Sequence, residues 1–225
     1  MTSMGPIIRI AGIKLCVDRR FSKTMRDALF ARGYENDELR IVRSQLRSAD
    51  TVMELGTGIG LISSFCARRI APNRVFTFEA NPVLEPHIRK TYRLNGVNPN
   101  LEMCLIARDA GRREFYVHGD FWASSTVRFS SNARKIIVPA KSFNDEVRRI
   151  QPTFLIIDVE GGEYELFRDA ELGPVHKVLI ELHEWALGRK KTEFVKAKLF
   201  EARFRLQTHL SIRDRLFWRR QGPQG

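Results

Sequence analysis

Cysteine, long apolar runs and clustered metal ligands are all scarce in this 225-residue chain. Cys16, Cys66 and Cys104 form neither a spaced disulfide framework nor a ligand cluster. That argues for a reducing compartment, with each thiol a small core residue. No apolar stretch approaches the ~18 residues of a membrane-spanning helix. The N-terminus also lacks the basic-then-apolar order of a secretory leader. Together these absences lead to the expectation of a cytoplasmic protein without a membrane span. There is no internal repeat and no low-complexity segment, and only the closing Gln-Gly-Pro-Gln-Gly looks frayed.

What is present is an ordinary globular composition, 43% hydrophobic and 28% charged, in a length that suits one domain with a short extension. The net charge of +12 invites a nucleic-acid reading. Arginine supplies most of it, however, in scattered pairs such as Arg68–Arg69 and Arg148–Arg149. Aromatic residues do not interleave with these pairs as stacking platforms would. Nucleic acid is therefore not the expected partner.

Residues 7–18 read as short paired strands, and 36–48 as a helix capped by Asn36 or Asp37, with Leu39, Val42 and Leu46 at helical spacing. An alternation then begins: strand 51–55, helix 59–70, strand 74–79, helix 82–94, strand 101–106. The stretch 109–140 breaks the rhythm with two strand-like runs, Glu114–His118 and Arg134–Val138. A helix from about 143 capped by Ser142, strand Thr153–Asp158, a helix from about 162, strand Val175–Leu182 and a helix of 189–202 resume it. Runs 204–210 and 215–219 fit an antiparallel hairpin. Nearly continuous apolar strands between amphipathic helices predict a doubly wound α/β fold, its sheet mostly parallel and covered on both faces. The expected organisation is an N-terminal strand and helix extension over 1–49, then a domain over 50–220 carrying the β insert.

Thr51-Val-Met-Glu-Leu-Gly-Thr-Gly-Ile-Gly60 is the most informative stretch. Gly56, Gly58 and Gly60 form a turn that lets backbone N–H groups approach a bound molecule closely. A dinucleotide fingerprint spaces its third glycine differently, and Glu54 beside the turn would repel a pyrophosphate. A ligand carrying both an ammonium and a carboxylate fits better, and S-adenosylmethionine carries both. Glu79 ends the second strand about twenty residues on, where a carboxylate can accept both ribose hydroxyls. Glu54, Gly56, Thr57, Gly58, Gly60, Glu79 and Ala80 are the expected cofactor-binding residues. Across the switch point of the sheet lie Asp158, Glu160, Glu181 and His183, paired two apart so that each pair shares a face. Methyl transfer to a hydroxyl needs in-line placement and removal of a proton. Asp158, Glu181 and His183 are the expected catalytic residues, an Asp–His pair serving as base and orienter. An all-oxygen set of Asp158, Glu160 and Glu181 would suit Mg²⁺, but nothing in the spacing demands an ion, and the expectation is metal-free.

Met53-Glu-Leu-Gly-Thr-Gly-Ile-Gly60, Phe78-Glu-Ala-Asn-Pro82, Ile157-Asp-Val-Glu-Gly-Gly-Glu163 and Leu179-Ile-Glu-Leu-His183 together resemble the FkbM family of S-adenosylmethionine-dependent methyltransferases. The resemblance runs from about Gly33-Tyr34-Glu35 to His183 and takes in the loop with Trp122, Ser124 and Ser125. It implies a class I methyltransferase fold, Rossmann-like, with a seven-stranded sheet. It also implies O-methylation of a hydroxyl on a sugar, glycan or polyketide-like metabolite. The first motif departs from the Gly-Ala-Asn-x-Gly common in that family. Glu160, Tyr34, Trp122 and Ser125 are the residues expected to meet the acceptor. An RNA methyltransferase and a non-catalytic binding module are the alternatives.

Overall fold

The computed structural model describes residues 5–118 and 133–222. A hairpin of β1 (Ile7–Ile10) and β2 (Ile13–Cys16) opens the chain and is antiparallel. Asn95 pins it to the body, its side chain exchanging 2.8 Å hydrogen bonds with both backbone groups of Lys14. Helix α1 (Lys23–Phe30), not foreseen from periodicity, starts where the Ser22 hydroxyl accepts from the Met25 N–H. Helix α2 (Asn36–Gln45) has no side-chain cap; the residue ahead of it, Glu35, sits at φ +48° instead. Neither Asn36 nor Asp37 therefore caps it, because Glu35 takes the cap position with a left-handed backbone.

Strand β3 (Val52–Leu55), helix α3 (Leu61–Ala67), strand β4 (Val75–Phe78) and helix α4 (Glu85–Asn95) follow within a few residues of the expected bounds. The single strand expected over 101–106 is two. β5 (Asn100–Glu102) closes one edge of the main sheet, and the chain bends at Met103–Cys104 into β6 (Leu105–Ala107). β6 joins the insert, where β7 (Gly111–Val117) and β8 (Arg134–Ser142) pair antiparallel and β6 lies parallel to β8. Phe115, Val138 and Ala140 give that small sheet an apolar face. Ser142 caps α5 (Phe143–Ile150) as expected. Then come β9 (Phe154–Ile157), α6 (Glu163–Phe167), β10 (Lys177–Glu181), α7 (Glu184–Leu187), α8 (Arg189–Glu201), β11 (Phe204–Leu206) and β12 (Arg215–Arg220).

The main sheet has seven strands in the order β11-β12-β10-β9-β3-β4-β5, parallel except for β12, which runs antiparallel to β10 and to β11. The fold is doubly wound α/β. Alternate residues of each strand feed opposite layers. Val52 joins Ile62, Phe65, Ile88 and Tyr92 in one core. Met53 and Leu55 join Phe143, Val147, Leu166 and Leu199 in the other. Both faces are thus covered, as continuous apolar strands require. The chain winds outward from β3 to β5 and returns to β9 beside β3, so the strand order reverses between β3 and β9. Ligands of such sheets bind beyond the carboxyl ends of the strands at that reversal. No helix among the described residues is long and apolar enough to cross a membrane.

Candidate active site

A cleft of about 280 Å³ opens at that position. Its lining includes Gly56, Gly58, Glu79, Ala80, Asp158 and Glu160, which the sequence reading had placed on the two sides of one ligand. Tyr34, Glu35 and Glu38 cover it from the N-terminal segment. Leu84, Cys104, Leu105, Ile106 and Phe115 make one end apolar.

The glycines of the first turn have reasons beyond ligand approach. Gly56 has φ +86°, and a Cβ there would sit 1.8 Å from the Asp158 carbonyl oxygen. At Gly58, φ +57°, a Cβ would meet the Tyr34 hydroxyl at 2.4 Å and Glu35 Oε1 at 3.0 Å. The turn is therefore pressed between the end of β9 and the N-terminal segment. Gly60 and Thr57 lie outside the cleft lining: Gly60 packs on Ile88 and Tyr92 of α4, and the Thr57 hydroxyl bonds that of Thr77.

Glu54 departs most from expectation. The pleat puts it on the same face as Val52, toward α3, whereas Leu55 faces the other layer and reaches the cleft. Glu54 is 2% exposed and accepts from the Thr77 hydroxyl. Burial pushes its carboxyl up to about 8, against hydrogen bonds from Thr77 and Ser63. It lies beneath the cleft.

Glu79 is where the sequence put it, at the end of β4. Its Oε2 accepts from the Thr57 and Gly58 N–H groups, both at 3.1 Å, and its Oε1 from the Asn81 N–H at 2.7 Å. Burial raises its carboxyl to about 7, opposed by those backbone hydrogen bonds.

On the β9–β10 side three of the four expected residues converge on the fourth, the imidazole of His183. His183 Nε2 lies 3.3 Å from Glu160 Oε2 and 3.6 Å from both Asp158 Oδ1 and Glu181 Oε1. Its Nδ1 is 2.5 Å from Oε1 of Glu163, a side chain with no exposure at all. Burial disfavours the charged ring, but the Glu163 hydrogen bond and the Asp158 and Glu160 charges outweigh it and raise the ring to about 10. His183 is therefore an imidazolium at neutral pH. In that state the ring is a positive anchor for the carboxylates.

Burial raises Asp158 to about 6, with His183 pulling the other way. Glu160 is pushed to about 8 by burial and stands at φ +33°, a left-handed position held by the turn into α6. Burial and the Asp158 charge push Glu181 upward as well. A second cation, unforeseen from the sequence, answers it. Arg215 stands directly opposite Glu181 in the β10–β12 pairing, its guanidinium 2.8 Å from Glu181 Oε1 and 2.7 Å from Glu38 Oε1. The signal that could have found it is an arginine opening the second strand of the expected 204–219 hairpin, the strand that the structure lays beside β10.

Among the described residues, Asp158, Glu160 and His183 present potential metal-ligand atoms within 4.8 Å of one another. That set differs from the all-oxygen one read from the sequence. Trp122 and Ser125 lie outside the described residues.

The family described as the methyltransferase FkbM domain matches residues 54–216. None of the curated proteins matches the sequence. Among solved structures, the tRNA (uracil-54, C5)-methyltransferase of Pyrococcus abyssi, in complex with S-adenosyl-L-homocysteine, superposes with a TM-score of 0.51 at 11% identity. That match covers 96% of this chain and 43% of the other, so the chain spans less than half of that protein. A Streptococcus mutans protein described as an S-adenosylmethionine-dependent methyltransferase gives 0.50 at 11% identity, covering 97% of this chain and 55% of that one. The O-methyltransferase of Bacillus cereus gives 0.47 at 13% identity, with 90% of each chain covered. At these identities the likeness is one of fold.

Proposed function

Because the chain belongs to the FkbM methyltransferase family, we propose that its cleft binds S-adenosylmethionine and methylates a hydroxyl of a small molecule or glycan. One observation carries the reading: the glycine turn, Glu79 and Asp158 meet in a single cleft at the reversal of strand order. The residues fit the donor chemically. Apolar Leu84, Leu105, Ile106 and Phe115 suit a purine, and Glu79 has an acceptor position left for a ribose hydroxyl. The acid-rich floor of Asp158, Glu160 and Glu181 suits a cation. When bound, the donor supplies an electrophilic methyl group on a sulfonium.

Asp158 is the group that accepts the proton of the acceptor hydroxyl. Its Oδ1 is shielded from solvent and has no hydrogen-bond partner among the described residues. With a carboxyl near 6 it is ionised at neutral pH yet more basic than an exposed aspartate. His183 and Arg215 keep it ionised by their positive charge. Glu163 holds the imidazole in place through Nδ1. Carboxylates at this end favour an uncharged hydroxyl over a polyphosphate backbone, which supports a small-molecule or glycan acceptor over RNA despite the net charge. Trp185, 62% exposed and with its ring 6.1 Å from His183, offers an apolar face beside the same spot.

The reading is metal-free, because nothing in the spacing of these residues demands an ion. Chelator-treated protein that retains turnover supports this, and turnover restored only by a divalent ion contradicts it. The function itself is tested by screening labelled methyl transfer into glycans and metabolite extracts. Label in a base-stable ether is expected, and label in RNA alone would replace the acceptor class.

A further inference from the structure

One carboxylate at the glycine-turn end of the cleft has an oxygen that nothing among the described residues satisfies. Glu35 leaves the regular backbone at φ +48° and turns its side chain over Gly58. The Tyr34 hydroxyl bonds this carboxylate. Its Oε2 is shielded from solvent and has no hydrogen-bond partner among the described residues. A buried, unanswered carboxylate oxygen is costly: burial, against the Tyr34 hydrogen bond and together with the neighbouring acids, pushes this carboxyl well above the usual range, and a cation brought to it offsets that cost.

Apart from Asp158, the acceptor-side base, the neighbouring acids are already served. Glu54 lies beneath the sheet on Thr77, Glu79 is held by three backbone N–H groups, and Glu38 and Glu181 share Arg215. The charges bearing most on Glu35 are those of Glu38, Glu54 and Asp158, all acids. No cation of the chain is among them. The backbone at Glu35 is also one that a non-glycine residue adopts at some cost, and such positions concentrate where a ligand is gripped.

We propose that Glu35 binds the ammonium group at the amino-acid end of the methyl donor, taking the role the sequence had suggested for Glu54. This assignment rests on the donor-binding reading above. An ammonium rather than the sulfonium is the match, because an orphaned oxygen needs an N–H donor and a sulfonium has none. Tyr34 fixes the carboxylate, and Gly58 leaves room for it beside the turn.

The test compares two ligands that differ only in that amine: S-adenosylhomocysteine and 5′-(3-carboxypropylthio)-5′-deoxyadenosine. In calorimetry the wild type is expected to favour the amine by about 10- to 100-fold, as for a hydrogen bond between charged groups. Glu35→Gln should lose most of that preference while binding the amine-free ligand as well as the wild type does, which also shows that it is folded. Glu35→Asp should recover part of the preference. A Glu35→Gln protein that weakens for both ligands equally, or that keeps the full preference, overturns the proposal. Should Glu35→Gln fail to fold, Glu35→Asp decides alone: a preference cut at least several-fold supports the contact, and an undiminished one overturns it. Wild-type protein that binds neither ligand overturns the donor reading itself, and this assignment with it.

Discussion

Replacing Glu79 by alanine tests the ribose side of the cleft, and the structure sets the size of the effect. A carboxylate offers about four acceptor positions. Among the described residues three are used, by the N–H groups of Thr57 and Gly58 on Oε2 and of Asn81 on Oε1. One position, on Oε1, remains for a ribose hydroxyl, rather than the two foreseen from the sequence. A single charge-assisted hydrogen bond contributes ~1.5–3 kcal/mol, so Glu79→Ala should weaken S-adenosylhomocysteine by about 10- to 150-fold. The substitution also frees three backbone donors. Water entering the cleft can meet them, so the fold should lose only about 1–3 kcal/mol. The carboxyl is held near 7 by burial. Wild-type affinity should therefore rise as pH goes from 6 to 8 and the acceptor ionises, and Glu79→Gln should flatten that profile. Calorimetry across this range, with urea unfolding in parallel, reads both effects. Affinity within threefold of wild type in folded Glu79→Ala would refute the reasoning.

Asp158→Asn should leave S-adenosylhomocysteine affinity within a few-fold of wild type and cut turnover about 100-fold or more, as loss of a general base does; with wild type, the rate should rise through pH 6, and equal turnover in the variant would contradict the assignment. The His183 ring should stay protonated well above neutrality, its NMR titration centred near pH 10 and lowered in Glu163→Gln; a midpoint near 6.5 would show that the carboxylates do not hold it. Since that folded value is raised, the stability His183 contributes is complete below its unfolded value of about 6.5 and is lost as pH climbs through 10. Gly56→Ala would press a methyl into the Asp158 carbonyl at a left-handed backbone position; we expect a loss of at least ~3 kcal/mol in urea unfolding or no folded protein, and near-wild-type stability would mean the turn is not pinned to β9.

Much of this was legible because two periodicities carry it. Continuous apolar runs at β3, β4, β9 and β10 announced a covered parallel sheet. The spacing of two placed Asp158 with Glu160, and Glu181 with His183, near enough to converge. What stayed hidden depends on distant partners or on a single residue of register. Arg215 and Glu38 are 177 positions apart and meet only because β12 folds back beside β10. Glu54 seemed aimed at the ligand, but one step of the pleat turned it under the sheet and gave the cleft to Leu55. Helices α1 and α7 were missed because eight and four residues leave too little periodicity to read. The bend at Met103–Cys104, which splits one apparent strand between two sheets, has no glycine or proline to announce it. The charge on His183 depends on four carboxylates gathered by tertiary structure, and the spacing of two showed only part of that set, because Glu163 comes from the helix after β9.

The most direct test is a crystal structure of the protein with S-adenosylhomocysteine. Density is expected beyond the carboxyl ends of β3 and β4, with the sugar on Glu79, the purine against Leu105 and Phe115, and the sulfur turned toward Asp158. A ligand bound elsewhere on the sheet, or none at saturating concentration, would contradict the account.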